Sequence, residues 1–153
     1  LSNKGYGDNL KVSFKFKAYD EGEVMVRIDE VRLAQVMSNL LSNAAKYSPT
    51  DDSVEIYVKT SQKNVRVSVH DNGKGIPDEF KSKIFGKFAM ADSTDTRKKG
   101  GSGLGLNITK TIIEKLEGRI SFDSIEGSGN GTTFYFDLPI WREENEAEDA
   151  SNN

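Results

Sequence analysis

Residues 98–110 read KKGGSGLGLNITK, and Gly100, Gly101, Gly103 and Gly105 fall within six positions, just where an apolar helical pattern begins. Glycine lets backbone N–H groups approach a ligand closely, and the helix N-terminus beyond such a turn favours an anion, so the pattern suits a phosphate. It does not fit a P-loop, because no Gly-Lys-Ser/Thr follows at the required gap. It does not fit a dinucleotide fingerprint either, because TRKK rather than a strand precedes the glycines. The eukaryote-type protein kinase set is missing too: there is no HRD, no DFG and no strand lysine in a VAIK context. Asn39 and Asn43 stand four apart with Lys46 three further on, so they share one helical stripe carrying amides and an ammonium group. Asparagine is a mediocre helix former, and two in mid-helix want a reason beyond solvation. Asp71 ends the apolar row Val65, Val67, Val69, where a carboxylate must find a donor or border a wet pocket. Thr132 likewise continues the inward row Phe134, Phe136, Leu138, whereas His70 shares the outward parity of Arg66 and Ser68.

The elements that must position these residues follow from periodicity. Lys11 to Ala18 alternates strictly, with Val12, Phe14, Phe16 and Ala18 on one side, and predicts a half-buried strand. Val24, Met25, Val26 and Ile28 suggest a short second strand. Asp29 is a plausible N-cap for a helix running to about Lys46, whose apolar stripe is Leu33, Val36, Met37, Leu40, Leu41 and Ala44. SPTDD (48–52) ends it. Alternating strands follow around 54–59 and 64–70, then a loop with Gly73, Gly75 and Pro77, and a short helical piece near 78–85. Residues 86–102 show no periodicity, a second helix spans about 103–117, and strands close the chain near 119–125 and 132–138. Helices between pairs of hairpin-like strands predict an α+β two-layer sandwich rather than a doubly wound sheet.

Composition narrows the function classes. The 153 residues are 35% hydrophobic and 29% charged, with no cysteine, which excludes disulfides, thiolate chemistry and thiolate-based zinc sites. The net charge of −3 is dominated by the tail EENEAEDASNN (143–153); residues 1–142 hold 21 basic and 19 acidic side chains. A domain over residues 1–142 followed by an acidic disordered tail or linker is the expected organisation. That balance makes no case for a nucleic-acid surface, and no apolar run is long enough to span a membrane.

Four blocks in order carry a resemblance. NLLSNAAKYS (39–48) lies on a helix, DNGKGIP (71–77) follows a strand, GGSGLGL (100–106) opens the next helix, and GNGTTF (129–134) opens the last strand, with IFGKF (84–88) between the second and third. The set resembles the N, G1, G2, G3 and F boxes of the catalytic ATP-binding domain of sensor histidine kinases, in the GHKL superfamily, over nearly the whole chain. The resemblance implies the Bergerat fold, with a mixed sheet of about five strands packed on about three helices. It implies ATP and Mg²⁺ as cofactors. Asp71 matches the aspartate that binds the adenine amino group, and Asn43 the asparagine that coordinates Mg²⁺. Lys46 and Tyr47 match positions that touch the phosphates or line the nucleotide pocket. Gly101, Gly103 and Gly105, with Leu104 among them, match the phosphate hinge. Gly73 and Gly75 bring backbone near the base, Thr132 lies near the adenine, and Ile76 packs under the base or serves the core. Residues 86–102 match the ATP lid, in which Arg97, Lys98 and Lys99 are candidates to meet the γ-phosphate. Phe85 and Phe88 fit the F box, as lid anchors, as a docking site for the partner domain, or as core.

Superfamily members that hydrolyse ATP carry a glutamate four residues before the magnesium asparagine. Here that residue is Asn39, an amide that cannot accept a proton at neutral pH, which points to transfer rather than hydrolysis. Asn39, Asn43 and Lys46 are therefore the expected catalytic set, and the acceptor is a histidine elsewhere, since outward-facing His70 suits a surface role. The expected protein is the catalytic half of a cytoplasmic protein-histidine kinase, inactive without an upstream dimerisation and phosphoacceptor domain, whose parent can be membrane-anchored. A response regulator is an indirect partner, and neither nucleic acid nor direct membrane contact is expected. The alternatives are a nucleotide-binding module of a degenerate kinase and a serine kinase of the anti-sigma-factor type.

Overall fold

Alternation of apolar and polar side chains makes the strands, and pairing brings their apolar parities to one face. The computed structural model describes residues 13–18 as backbone, and residues 25–49, 52–86 and 105–141 in full. Its elements are β1 (Ser13–Ala18), β2 (Met25–Val26), α1 (Glu30–Tyr47), β3 (Ser53–Thr60), β4 (Asn64–Asp71), α2 (Asp78–Lys81), α3 (Gly105–Lys115), β5 (Arg119–Ser124) and β6 (Thr132–Trp141). The expected α+β two-layer sandwich is what forms. The sheet has six strands because the two-residue β2 joins the edge of β6 through Met25 and Val26. Its order is β1-β3-β4-β6, with β5 and β2 sharing the far side of β6. The sheet is mixed: β1 runs parallel to β3 and the remaining pairs are antiparallel.

Register decides what the helices meet. Ile56, Val69, Phe134 and Phe122 form one cross-strand row, and Val58, Val67, Phe136 and Ile120 the next. Val36, Leu40, Leu41 and Ala44 of α1 pack on this face together with Ile113 of α3. Three strand pairs are thus committed to one core, so a slip of one residue would turn every apolar side chain outward. The predicted cap holds: Asp29 accepts from the Val31 N–H at 2.7 Å, and the Ser48 N–H closes the other end of α1 on the Ala44 carbonyl. The helical piece near 78–85 is shorter than expected, α2 giving way to turns through Phe85. The lid (apart from Gly86), Phe88, Arg97, Lys98, Lys99, Gly101, Gly103, Leu104 and the acidic tail lie outside the described residues.

Candidate functional site

The C-terminal half of α1, the end of β4 with the loop that follows it, and the first turn of α3 converge at one end of the sandwich. On α1, Asn39, Asn43, Lys46 and Tyr47 are all half-buried rather than solvated. The Asn39 amide donates to the Gly105 carbonyl and to Thr109 Oγ1, both at 3.2 Å. Thr109, fully buried, donates in turn to the same Gly105 carbonyl at 2.8 Å. The two acceptors lie side by side within reach of the same amide nitrogen, which accounts for one of the two mid-helix asparagines. A glutamate at this position could donate neither bond.

Asp71 lies at the end of its apolar row, 3% exposed, with its Oδ1 accepting from the Gly73 N–H at 2.9 Å. Burial raises its carboxyl above the ordinary range, and the Gly73 N–H, the His70 ring and the Thr132 N–H oppose the rise. The loop can come this close only because Gly73 has no side chain: a Cβ there would stand 2.6 Å from the Tyr47 carbonyl oxygen and 2.9 Å from Asp71 Oδ1. Gly75 has φ of +88°, and Ile76 beyond it is buried in the core cluster. The cross-strand partner of Asp71 is Thr132, 5% exposed, and that of Thr132 on its other side is Ser124.

These hydroxyls form a chain. The Ile76 N–H donates to Ser124 Oγ at 2.7 Å, and Ser124 Oγ lies 2.7 Å from Thr132 Oγ1. Accepting from Ile76 leaves Ser124 a proton and a second lone pair, so either hydroxyl can donate in this bond, and Thr132 stands opposite Asp71 able to donate or accept. A buried carboxylate acceptor next to a hydroxyl that can donate is able to meet a planar edge that offers a donor beside an acceptor. A short row of polar groups ending an otherwise apolar core is typical of a small-molecule site.

The histidine kinase-, DNA gyrase B- and HSP90-like ATPase family model matches residues 28–142. The chain belongs to this family. Sensor histidine kinase WalK of Bacillus subtilis is 43% identical over 126 residues, which are 81% of this chain and 20% of that protein. Autoinducer 2 sensor kinase/phosphatase LuxQ of Vibrio vulnificus is 37% identical over 147 residues, 93% of this chain and 17% of that protein. The chain thus spans a fifth or less of the length of these curated relatives. Among solved structures, the catalytic domain of histidine kinase ThkA superposes with a TM-score of 0.71 at 33% identity, covering 87% of this chain and 82% of that one. ThkA in complex with response regulator protein TrrA matches at 30% identity and a TM-score of 0.68, over 88% and 36% of the two chains.

Within this ATPase family member, further residues emerge that sequence reasoning did not single out. Ser124 and Thr109 looked like ordinary strand and helix residues, and only their partners across the fold give them meaning. Asn107 donates to the Phe85 carbonyl at 2.9 Å, tying the segment after α2 to α3. Phe85 packs against Phe122 and Phe134, with ring centroids 5.8 and 6.2 Å away, and Lys110 lies over its ring. Phe85 is therefore a core anchor of that segment. His70 faces outward as expected, its Nδ1 2.7 Å from Thr133 Oγ1 and its Nε2 3.2 Å from Asn72 Oδ1.

Proposed function

We propose that this chain is the Mg·ATP-binding catalytic domain of a sensor histidine kinase, transferring the γ-phosphoryl group of ATP to a histidine on a separate dimerisation and phosphoacceptor domain. The observation that carries the reading is the buried pair of Asp71, whose carboxylate accepts, and Thr132, whose hydroxyl can donate or accept, with Ser124 behind it. Adenine presents its amino group beside the N1 acceptor, which complements this pair. Guanine presents a carbonyl where adenine presents its amino group, which sets an acceptor against the Asp71 carboxylate, and leaving a buried polar group unpaired discriminates between them. Gly73, Gly75 and Ile76 shape the wall of the base site.

From there the triphosphate runs along α1. Tyr47 lines the pocket, Lys46 neutralises phosphate charge, and Asn43 offers one amide oxygen to Mg²⁺. No group of three or more His, Cys, Asp or Glu that could hold a metal occurs among the described residues. Mg²⁺ is satisfied by phosphate oxygens, waters and a single protein oxygen, so the proposed site asks no more of the protein than the Asn43 amide. When bound, the ion neutralises charge on the β- and γ-phosphates. Gly105 is the first described residue of α3, a helix whose N-terminal end favours an anion through its dipole. Gly101, Gly103, Leu104 and Lys99 belong to the same proposed phosphate site, with Arg97 and Lys98 beside them. In the transfer, a histidine ring nitrogen bonds to phosphorus as the bond to the β–γ bridging oxygen breaks, and ADP leaves with that electron pair. Asn39 supports transfer over hydrolysis, because its amide is bonded to α3 and has no basic site to activate water.

The acceptor is proposed to lie outside this chain, since both ring nitrogens of His70 have partners on the far face of the sheet. ThkA forms a complex with a response regulator protein; the proposed downstream partner here is a regulator of that class. No helix among the described residues is long and apolar enough to cross a membrane. The family match ending at Arg142 supports a domain over 1–142 with the acidic segment 143–153 as a tail or linker. Calorimetric titration with a non-hydrolysable ATP analogue tests the reading. Binding strengthened by Mg²⁺, and acid-labile label on a supplied acceptor helix after incubation with ATP, are expected. Absence of binding by the folded chain would overturn it, and acid-stable label would point to a serine kinase.

A further inference from the structure

Thr109 lies one turn into α3, fully buried, on a helix face that otherwise packs apolar side chains such as Ile113 into the core. Valine would fill that space without a hydroxyl to desolvate, so the hydroxyl needs an account. Its proton goes to the Gly105 carbonyl at 2.8 Å, and its lone pair receives one proton of the Asn39 amide at 3.2 Å. The Asn39 amide also donates to the same Gly105 carbonyl, at 3.2 Å. Three groups from α1 and α3 therefore close a triangle around the first residue of α3. Asn43 follows Asn39 by one turn of α1, so the triangle also sets the distance from that amide to the α3 N-terminus.

We propose that Thr109 is a positioning residue for the phosphate end of the nucleotide. Through Gly105 and Asn39 it holds the first described turn of α3 in register with Asn43 and Lys46. The proposal rests on the nucleotide reading above. The base end of that site is built separately, from β4, β5 and β6, and shares no hydrogen bond with the triangle. Loss of the Thr109 hydroxyl thus weakens grip on the phosphates and leaves grip on the base intact.

The separation gives the test. Thr109→Val keeps the volume and removes the hydroxyl; Thr109→Ser keeps the hydroxyl. Each variant and the wild-type chain are titrated calorimetrically with adenosine, which has only the base end, and with Mg²⁺ plus a non-hydrolysable ATP analogue. Thr109→Val is expected to bind adenosine within about two-fold of wild type and the analogue about five-fold more weakly, the scale of one net hydrogen bond. Thr109→Ser should restore the analogue affinity. A uniform loss for both ligands, or no change for either, would overturn the proposal, because a merely structural role does not alter the ratio. Should the valine variant not fold, Thr109→Cys, similar in size with only a weak S–H donor, carries the same expectation. If the wild-type chain binds neither ligand, the nucleotide reading falls first and this one with it. If it binds both and the ratio does not move, this one falls alone.

Discussion

Asp71 illustrates how a single buried carboxyl costs stability, a cost the proposed nucleotide site would explain. Its carboxyl is raised by burial, so in the folded chain ionisation is disfavoured relative to the unfolded chain. The sign follows from linkage. Above the ordinary value of 3.8 the unfolded chain releases the proton more readily, and the folded chain carries a growing penalty until pH passes the raised folded value. Asp71→Asn removes that penalty and can still accept from the Gly73 N–H. It is therefore expected to melt no lower than wild type at neutral pH, while losing at least about ten-fold in adenine-nucleotide affinity. Parallel melting and titration curves check both halves. Nucleotide affinity of the wild type should also fall on acidification, beginning above the usual carboxylate range, as Asp71 takes up its proton.

At the scale of elements, the helix ends and the hairpin glycines set the geometry. α3 does not end on the glycine its sequence offers: Glu117 takes the left-handed conformation with φ of 62°, and the Gly118 N–H reaches back to the Ile113 carbonyl at 3.0 Å. A side chain in that region is strained, whereas glycine is not, so Glu117→Gly should raise the unfolding free energy by about 0.5–1 kcal/mol in a denaturant titration. Gly131 shows the opposite case. Its φ is +71°, and a Cβ there would run into the Asp71 carbonyl oxygen and stand 2.9 Å from Asn72 Cα. Gly131→Ala should cost about 1–3 kcal/mol and also weaken nucleotide binding, since it pushes apart the strand ends that place Asp71 beside Thr132. A folded Gly131→Ala variant with wild-type stability would contradict this account.

The two faces of the sheet divide the work of the whole molecule. One face takes the helices and ends in the site. The other holds an ion cluster in which buried Asp137 accepts from Arg66 at 2.7 and 2.9 Å and from Arg119 at 3.3 Å. The Arg66 hydrogen bonds hold the Asp137 carboxyl below its ordinary range, with burial opposing and Arg119 assisting. Its contribution is therefore complete above the ordinary value of 3.8 and is lost as pH falls through the lower folded value. Arg66 and Arg119 are both largely solvent-exposed, which screens the pair, so Asp137→Asn should cost about 1–2 kcal/mol at neutral pH. The deficit should vanish toward strongly acidic pH, and nucleotide affinity should not change, because the cluster lies on the face opposite the site. A binding defect in this variant would show that the two faces are coupled.

Much of this arrangement is legible in the chain itself. Period-2 and period-3.6 patterns define β3, β4, α1 and α3 because burial on one face imposes them locally, and the same alternation gives Asp71 and Thr132 their inward parity. The motif order adds the family. Tertiary structure alone decides which polar groups meet. Asn39 and Thr109 are 70 residues apart, and Ser124 reaches Ile76 across 48. Asp137 has outward parity yet is buried, because Arg66 and Arg119 arrive beside it from β4 and β5. Hydrophobic periodicity is a property of neighbours along the chain, whereas a hydrogen bond between distant residues exists only once strand register and helix packing have set both partners in place.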